Sequence, residues 1–196
     1  MEKTGLEAKQ PHSRRIFFKK AFEKTSEIAI EEVERKVKKI SSYFVRPPGV
    51  GTEIEFLDSC TSCGDCVSAC QYGTIFLLEP KLGLAMNTPA LDLIHKACHL
   101  CEDFPCITAC KPQALKPIKL ENLKFSKITI NTSTCIPFLG PECGVCEMIC
   151  TVPGAIKLNL TTPEINPDVC NGCAMCREAC PVIPSAILIS PLDPAG

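Results

Sequence analysis

The chain has 196 residues, room for one or two small domains, with a formal net charge of −1 and sixteen cysteines. That charge hides an asymmetry: residues 1–47 carry 12 basic against 7 acidic residues (+5), and residues 48–196 carry 9 against 15 (−6). An acidic body argues against nucleic-acid binding, which needs a concentrated basic surface, and no run approaches the roughly 18 apolar residues of a membrane span.

Residues 1–15 are polar and contain Pro11. The string Ser13-Arg14-Arg15-Ile16-Phe17-Phe18-Lys19 resembles a twin-arginine export motif. Such a signal is followed by about 7–15 apolar residues and a small-residue cleavage site. Here Lys20-Ala21-Phe22-Glu23-Lys24 follows, and no later apolar run before Ser41 is longer than Ile28-Ala29-Ile30. The expected location is the cytoplasm or the cytoplasmic face of a membrane, with periplasmic export by the twin-arginine route as the alternative. Residues 16–44 lack Gly and Pro, and Ile30, Val33, Val37, Ile40 and Phe44 form one apolar stripe at helical spacing. This predicts an amphipathic helix, ended by Arg46-Pro47-Pro48-Gly49.

From Phe56 onward the chain repeats itself. Four cysteine groups are each followed by a short run ending in an apolar pair: Tyr72-Gly73-Thr74-Ile75, Pro112-Gln113-Ala114-Leu115, Pro153-Gly154-Ala155-Ile156 and Pro184-Ser185-Ala186-Ile187. Strands are expected at Ile75–Leu78, Phe125–Ile130, Ile156–Leu160 and Ala186–Ile189. The unit is loop, helical turn and short strand, stacked in copies.

The groups themselves carry the chemistry. Cys60, Cys63, Cys66 and Cys70 read C-x2-C-x2-C-x3-C, and Cys170, Cys173, Cys176 and Cys180 repeat that spacing and end in Cys-Pro. This is the bacterial spacing for thiolates holding [4Fe–4S] cubanes, in which the fourth cysteine ligates the other cluster of a pair. The other two groups, Cys98, Cys101, Cys106, Cys110 and Cys135, Cys143, Cys146, Cys150, insert residues ahead of one ligand and keep the C-x3-C ending. A disulfide framework explains an even count but gives no reason for C-x2-C-x2-C to recur. A zinc scaffold uses two separated C-x2-4-C pairs, often with histidine, whereas His12, His95 and His99 recur at no ligand position. Four [4Fe–4S] clusters on all sixteen cysteines is the reading the spacing favours.

A loop of C-x2-C-x2-C wraps three corners of a cubane, and the cysteine after x3 points at a second cluster. Two motifs thus exchange their last cysteines. Sequential pairing joins the first group with the second and the third with the fourth; a nested arrangement, first with fourth and second with third, is the alternative. His99 reads either as a donor to a cluster sulfur or as an uninvolved surface histidine, and Tyr72 as a neighbour of a cluster or as ordinary packing. Lys111 and Lys116 suit an acidic partner or plain solvation. No acid, base or nucleophile set stands apart from the cysteines, so no enzymatic site is expected.

Arg46-Pro47-Pro48-Gly49, the first cysteine group and Cys98-His99-Leu100-Cys101-Glu102-Asp103-Phe104-Pro105-Cys106 together resemble the ferredoxin-type subunit of periplasmic nitrate reductase and methylamine-utilisation systems. The similarity covers about residues 45–190, including the x7 gap of the third group. It implies an electron carrier with four [4Fe–4S] clusters, working beside a membrane quinol dehydrogenase and a terminal reductase or cytochrome. The expected fold is α+β: tandem bacterial-ferredoxin-like dicluster units preceded by an N-terminal amphipathic helix. The expected divisions are a basic extension and helix at 1–47, a first half at 48–130 and a second half at 131–196. A structural or adaptor iron–sulfur subunit of a larger oxidoreductase is the alternative function, and a zinc-binding scaffold the less favoured one.

Overall fold

The structure, a computed structural model, describes Arg35, Val37 and residues 43–192. The twin-arginine string and most of the expected 16–44 helix lie outside the described residues. Arg35 and Val37 are helical, and Val37 is buried in the main core.

Helix α1, Glu53–Ser59, is capped by Thr52, whose hydroxyl accepts from the Glu55 N–H at 3.3 Å. Glu53 and Glu55 put negative charge on its positive end, and Phe56 and Leu57 bury its apolar face. The helix runs directly into Cys60, whose N–H donates to the Phe56 carbonyl at 2.8 Å. Four single helical turns follow along the chain: α2 Asp65–Ser68, α3 Pro105–Thr108, α4 Val145–Met148 and α5 Met175–Glu178. Each begins one residue before the third cysteine of its group and ends two residues before the fourth, so the turn carries the third cysteine and the fourth follows it.

The strands form three two-stranded antiparallel sheets. Strand β1, Ile75–Leu77, pairs with β2, Pro89–Leu91; β4, Ile156–Asn159, pairs with β5, Thr162–Ile165. Strand β3, Lys127–Ile130, reaches across the third and fourth cysteine groups to pair with β6, Ile187–Ser190. The expected strands are found with altered ends, each for a local reason. Leu160 has φ of 58° and belongs to the β4–β5 turn, so β4 stops at Asn159. Phe125 and Ser126 precede β3 because they lie against the loop of the fourth group: the Phe125 N–H donates to the Asn171 carbonyl at 2.7 Å, and the Ser126 hydroxyl to the Gly172 carbonyl at 2.9 Å.

The repeated apolar pairs make the core. Thr74-Ile75, Ala114-Leu115, Ala155-Ile156 and Ala186-Ile187 are all buried. Thr74, the one polar member, donates its hydroxyl to the Ala97 carbonyl at 2.6 Å. The main cluster draws on the first half and also takes in Cys173, Ala174 and Met175. A smaller one joins Ile128, Ile156, Cys176 and Ile187.

Arg46 ties the start of the described body together. Its guanidinium donates to both carboxylate oxygens of Glu53, with Nε–Oε2 at 3.0 Å, and to Thr88 Oγ1 at 2.9 Å and the Pro89 carbonyl at 2.6 Å. It also lies 4.3 Å from the centre of the Phe44 ring and 4.6 Å from that of Phe56. Gly49 follows with φ of 88°, and a Cβ there would overlap the backbone of Lys116, whose N–H donates to the Gly49 carbonyl at 2.8 Å.

Candidate metal centres

All sixteen cysteines lie within the described residues, and none is in a disulfide. Their side chains gather in four quartets, each of three cysteines from one group and the last cysteine of another. Cys110 joins Cys60, Cys63 and Cys66 around a hollow also lined by Phe56, Pro112 and Leu115. Cys180 joins Cys135, Cys143 and Cys146 around the corresponding hollow, lined by Ile136, Pro137, Pro163 and Val182. Electrostatic repulsion shows the other two. Cys70 repels Cys98 and Cys106, with Cys101 also beside Cys98. Cys150 repels Cys170, Cys173 and Cys176. We number the quartets by the group giving three thiols: quartet 1 takes Cys110, quartet 2 takes Cys70, quartet 3 takes Cys180 and quartet 4 takes Cys150.

Loop conformation accounts for the wrapping. The residue just before the second cysteine of three loops is left-handed: Ser62 at φ 59°, Leu100 at 51° and Gly172 at 74°. A second left-handed residue, Gly64 at 79°, Phe104 at 40° and Ala174 at 70°, caps the turn that carries the third cysteine. Two such bends turn a short loop back on itself so that its side chains converge. Only Gly64 and Gly172 advertise this in sequence; Ser62, Leu100, Phe104 and Ala174 hold a conformation that costs about 1–2 kcal/mol per L-residue. The third loop differs, with Gly144 at φ −135°, in keeping with its x7 spacing.

The thiols are unlike one another electrostatically. Burial, followed by repulsion from Cys60, Cys110 and Cys63, pushes the Cys66 pKa up to about 11. Burial likewise raises Cys98 and Cys173 to about 11, and Cys106 and Cys176 to about 12. Cys70 and Cys180 go the other way. Burial opposes ionisation at both, but N–H groups of Ile75, Thr74, Tyr72 and Gly73 bring Cys70 below the ordinary thiol value. The Ser185 hydroxyl and the N–H groups of Val182, Ala186 and Ile187 do the same for Cys180. Buried thiols crowded together without a cation resist ionisation, and a metal centre supplies the positive charge that deprotonates them.

These features fit an iron–sulfur cluster better than a single ion. Tetrahedral zinc at about 2.3 Å from each sulfur would draw its four thiolates to within about 4 Å of one another. A cubane spreads four thiolates over separate corners. Among the described residues two buried polar atoms lack partners, the Ser62 hydroxyl and the Asn171 Nδ2, and both sit inside cysteine loops. The sulfurs of a bound cluster are acceptors for such groups.

His99 is neither remote nor idle. Its ring stacks on Tyr72 at 3.6 Å and 4°, and its Nε2 lies 3.3 Å from Glu178 Oε2 on α5. It thereby links quartets 2 and 4 through their protein shell. Lys111 follows Cys110 and so belongs beside quartet 1, although its own group supplies quartet 2. A cavity of about 320 Å³ lined by Arg46, Glu53, Leu123 and Leu192 contains no thiol, and its Arg46 and Glu53 already pair with each other.

Single helical turns, two-stranded sheets and thiols gathered in fours are the build of a ferredoxin-type iron–sulfur protein. Known proteins agree. The chain is 29% identical over 206 residues to the ferredoxin-type protein NapG of Escherichia coli, covering 95% of this chain and 89% of NapG. It is 30% identical over 171 residues to the methylamine utilization ferredoxin-type protein MauM of Paracoccus denitrificans, 81% and 76% covered. It is 31% identical over 145 residues to the ferredoxin-type protein NapF of E. coli, 70% and 80% covered. The chain belongs to the family of ferredoxin-type proteins that contains NapG and MauM, with an iron–sulfur electron-transfer role. No protein-family profile and no solved structure matches it.

Proposed function

We propose that this protein is a non-catalytic electron carrier holding four [4Fe–4S] clusters, one in each quartet. Cys60, Cys63, Cys66 and Cys110 hold the first; Cys98, Cys101, Cys106 and Cys70 the second. Cys135, Cys143, Cys146 and Cys180 hold the third; Cys170, Cys173, Cys176 and Cys150 the fourth. Bound there, the clusters supply one-electron storage at potentials set by hydrogen bonding and exposure. The exchange of last cysteines within each pair of groups carries the reading. It makes two dicluster halves, 48–130 and 131–196, with β3 lent to the second half through β6.

The chain's own residues position and insulate. The buried apolar pairs wall the hollows, the left-handed loop residues hold three thiols convergent, and N–H groups around Cys70 and Cys180 keep those thiols ready to bind metal. The partners are redox proteins, a quinol dehydrogenase as donor and a reductase or cytochrome as acceptor. We place the protein in the cytoplasm or on the cytoplasmic face of a membrane, on the charged residues that follow Arg14–Arg15. Among the described residues no helix is long and apolar enough to cross a membrane.

Iron and sulfide analysis of anaerobically purified protein tests the reading. Four cubanes give about 16 of each per chain. Less than half of that after full reconstitution would sink it. An EPR redox titration then counts the clusters and ranks their potentials.

A further inference from the structure

We propose that the surface around quartet 3 is the docking face for a redox protein whose contact patch is apolar at its centre and basic at its rim. The proposal rests on the cluster reading above and adds where a partner binds and what chemistry it presents.

Position comes first. Quartets 2 and 4 meet inside the molecule: the Cys98 N–H donates to the Cys173 carbonyl at 2.9 Å, and Cys173 adds to the repulsion on Cys98. Quartets 1 and 3 are therefore the two outer ones, and a group that exchanges electrons with another protein must lie near a surface. The two ends differ in chemistry. Around quartet 1 the cysteine loops, 60–66 and 110–116, expose Lys111, Gln113 and Lys116 and no large apolar side chain.

Around quartet 3 the opposite holds. Ile136 and Pro137 line its hollow, and the next two residues, Phe138 and Leu139, stand in solvent, Leu139 at 64% exposure. Val182 lines the other side, and Ile183 beyond it is 95% exposed. Single exposed apolar side chains are ordinary, but several gathered on the two sides of one site mark an interaction surface. The charge around them is acidic: residues 124–196 hold four basic residues, Lys124, Lys127, Lys157 and Arg177, against six acidic ones, and Lys124 is committed to the carbonyls of Pro167, Asp168 and Cys170. Arg177 is committed to the carbonyls of Ile94 and Ile187, and Lys157 lies opposite Glu164 across β4–β5. Exposed Glu142 and Glu147 have no cation beside them among the described residues. An apolar centre with an acidic rim selects a basic partner, and repels both a second copy of itself and an anionic membrane.

Mitochondrial cytochrome c, with its ring of lysines around an exposed haem edge, is the probe. Calorimetric titration into the iron-loaded protein at low salt should give binding that weakens at least tenfold by 200 mM salt. Glu142→Lys should weaken it about tenfold and Leu139→Ser severalfold, with iron, sulfide and visible absorbance unchanged. Glu79→Lys, an equal charge change on the first half at a 66% exposed side chain, should stay within about twofold. No binding at low salt, or equal effects of Glu79→Lys and Glu142→Lys, would overturn the proposal. So would a dimer, or attachment to phosphatidylglycerol vesicles, that Leu139→Ser abolishes. A reconstituted protein without iron would instead bring down the cluster reading, and the docking face with it.

Discussion

Arg46→Ala should be among the most damaging changes available outside the cysteines. The Arg46 and Glu53 side chains are only 9% and 14% exposed, so the substitution leaves a nearly buried carboxylate without its cation. Breaking such a pair from one side costs about 3–5 kcal/mol. The lost contacts over Phe44 and Phe56, at 4.3 and 4.6 Å, and the bonds lost by the Thr88 hydroxyl, which keeps only its own donation to the Ala85 carbonyl, and by the Pro89 carbonyl point to the upper part of that range. At about 2–4 °C per kcal/mol for a domain of this size, the melting point should fall by about 6–20 °C. The assay is anaerobic heating at one fixed scan rate, following the loss of absorbance near 400 nm, because unfolding of a cluster protein is read as a rate. Arg46→Lys should recover little, since an ammonium cannot form the two-pronged contact or lie flat between the rings. Arg46→Met with Glu53→Leu should recover much of the loss, because an apolar pair removes the stranded charge. A fall of less than about 2 °C for Arg46→Ala, or a double variant no better than the single one, would refute the reasoning.

Three further outcomes are expected. Cys110→Ser should remove the same EPR signal as Cys63→Ser, and Cys70→Ser the same as Cys101→Ser; signals grouped by sequence motif instead would contradict the exchange. Gly172→Ala should lower stability more than Gly64→Ala, as measured by melting point. Both glycines are left-handed, at φ 74° and 79°, so each alanine meets a penalty of about 1–2 kcal/mol. At Gly172 the new Cβ would also overlap the Ser126 backbone, whereas at Gly64 it meets open space. Finally, a reporter fused to residues 1–50 should stay in the cytoplasm, and its passage to the periplasm by the twin-arginine route would overturn that placement.

Local features were readable in the sequence because their causes are local. The turn at each third cysteine goes with the C-x3-C ending that all four groups share, and burial of Ile75, Leu115, Ile156 and Ile187 follows from the apolar pair that recurs five to seven residues after each group. Pairings between distant segments were not. Sequential and nested arrangements place the same cysteine spacings on the same loops, and only the tertiary position of Cys110 and Cys180 tells them apart. Arg46 reads in sequence as a helix-ending charge before two prolines; its carboxylate lies seven residues on, and its hydroxyl and carbonyl partners more than forty. The meeting of Cys98 with Cys173 leaves no trace in either motif. Left-handed Leu100, Phe104 and Ala174 were hidden because only the glycines at equivalent places signal that backbone, and the cluster loop overrides the preference of the side chain.

On the cluster reading proposed above, the exchange of last cysteines also sets a timetable for biosynthesis. Quartet 1 lacks a ligand until residue 110 has been made and quartet 2 until residue 106, so both become complete within four residues of each other. Quartets 4 and 3 follow as residues 176 and 180 appear. A chain emerging N-terminus first thus presents its proposed cluster sites in two bursts of two, rather than four in a row. The Cys98–Cys173 contact forms only once the second burst is under way, so the first half must pass through synthesis with its flank at Cys98 still bare. A cluster-delivery system that acts on nascent or newly released chain would meet vacant sites in pairs, and a ribosome stalled after residue 110 has left its exit tunnel and before residue 170 is made would hold a chain able to fill two sites and no more.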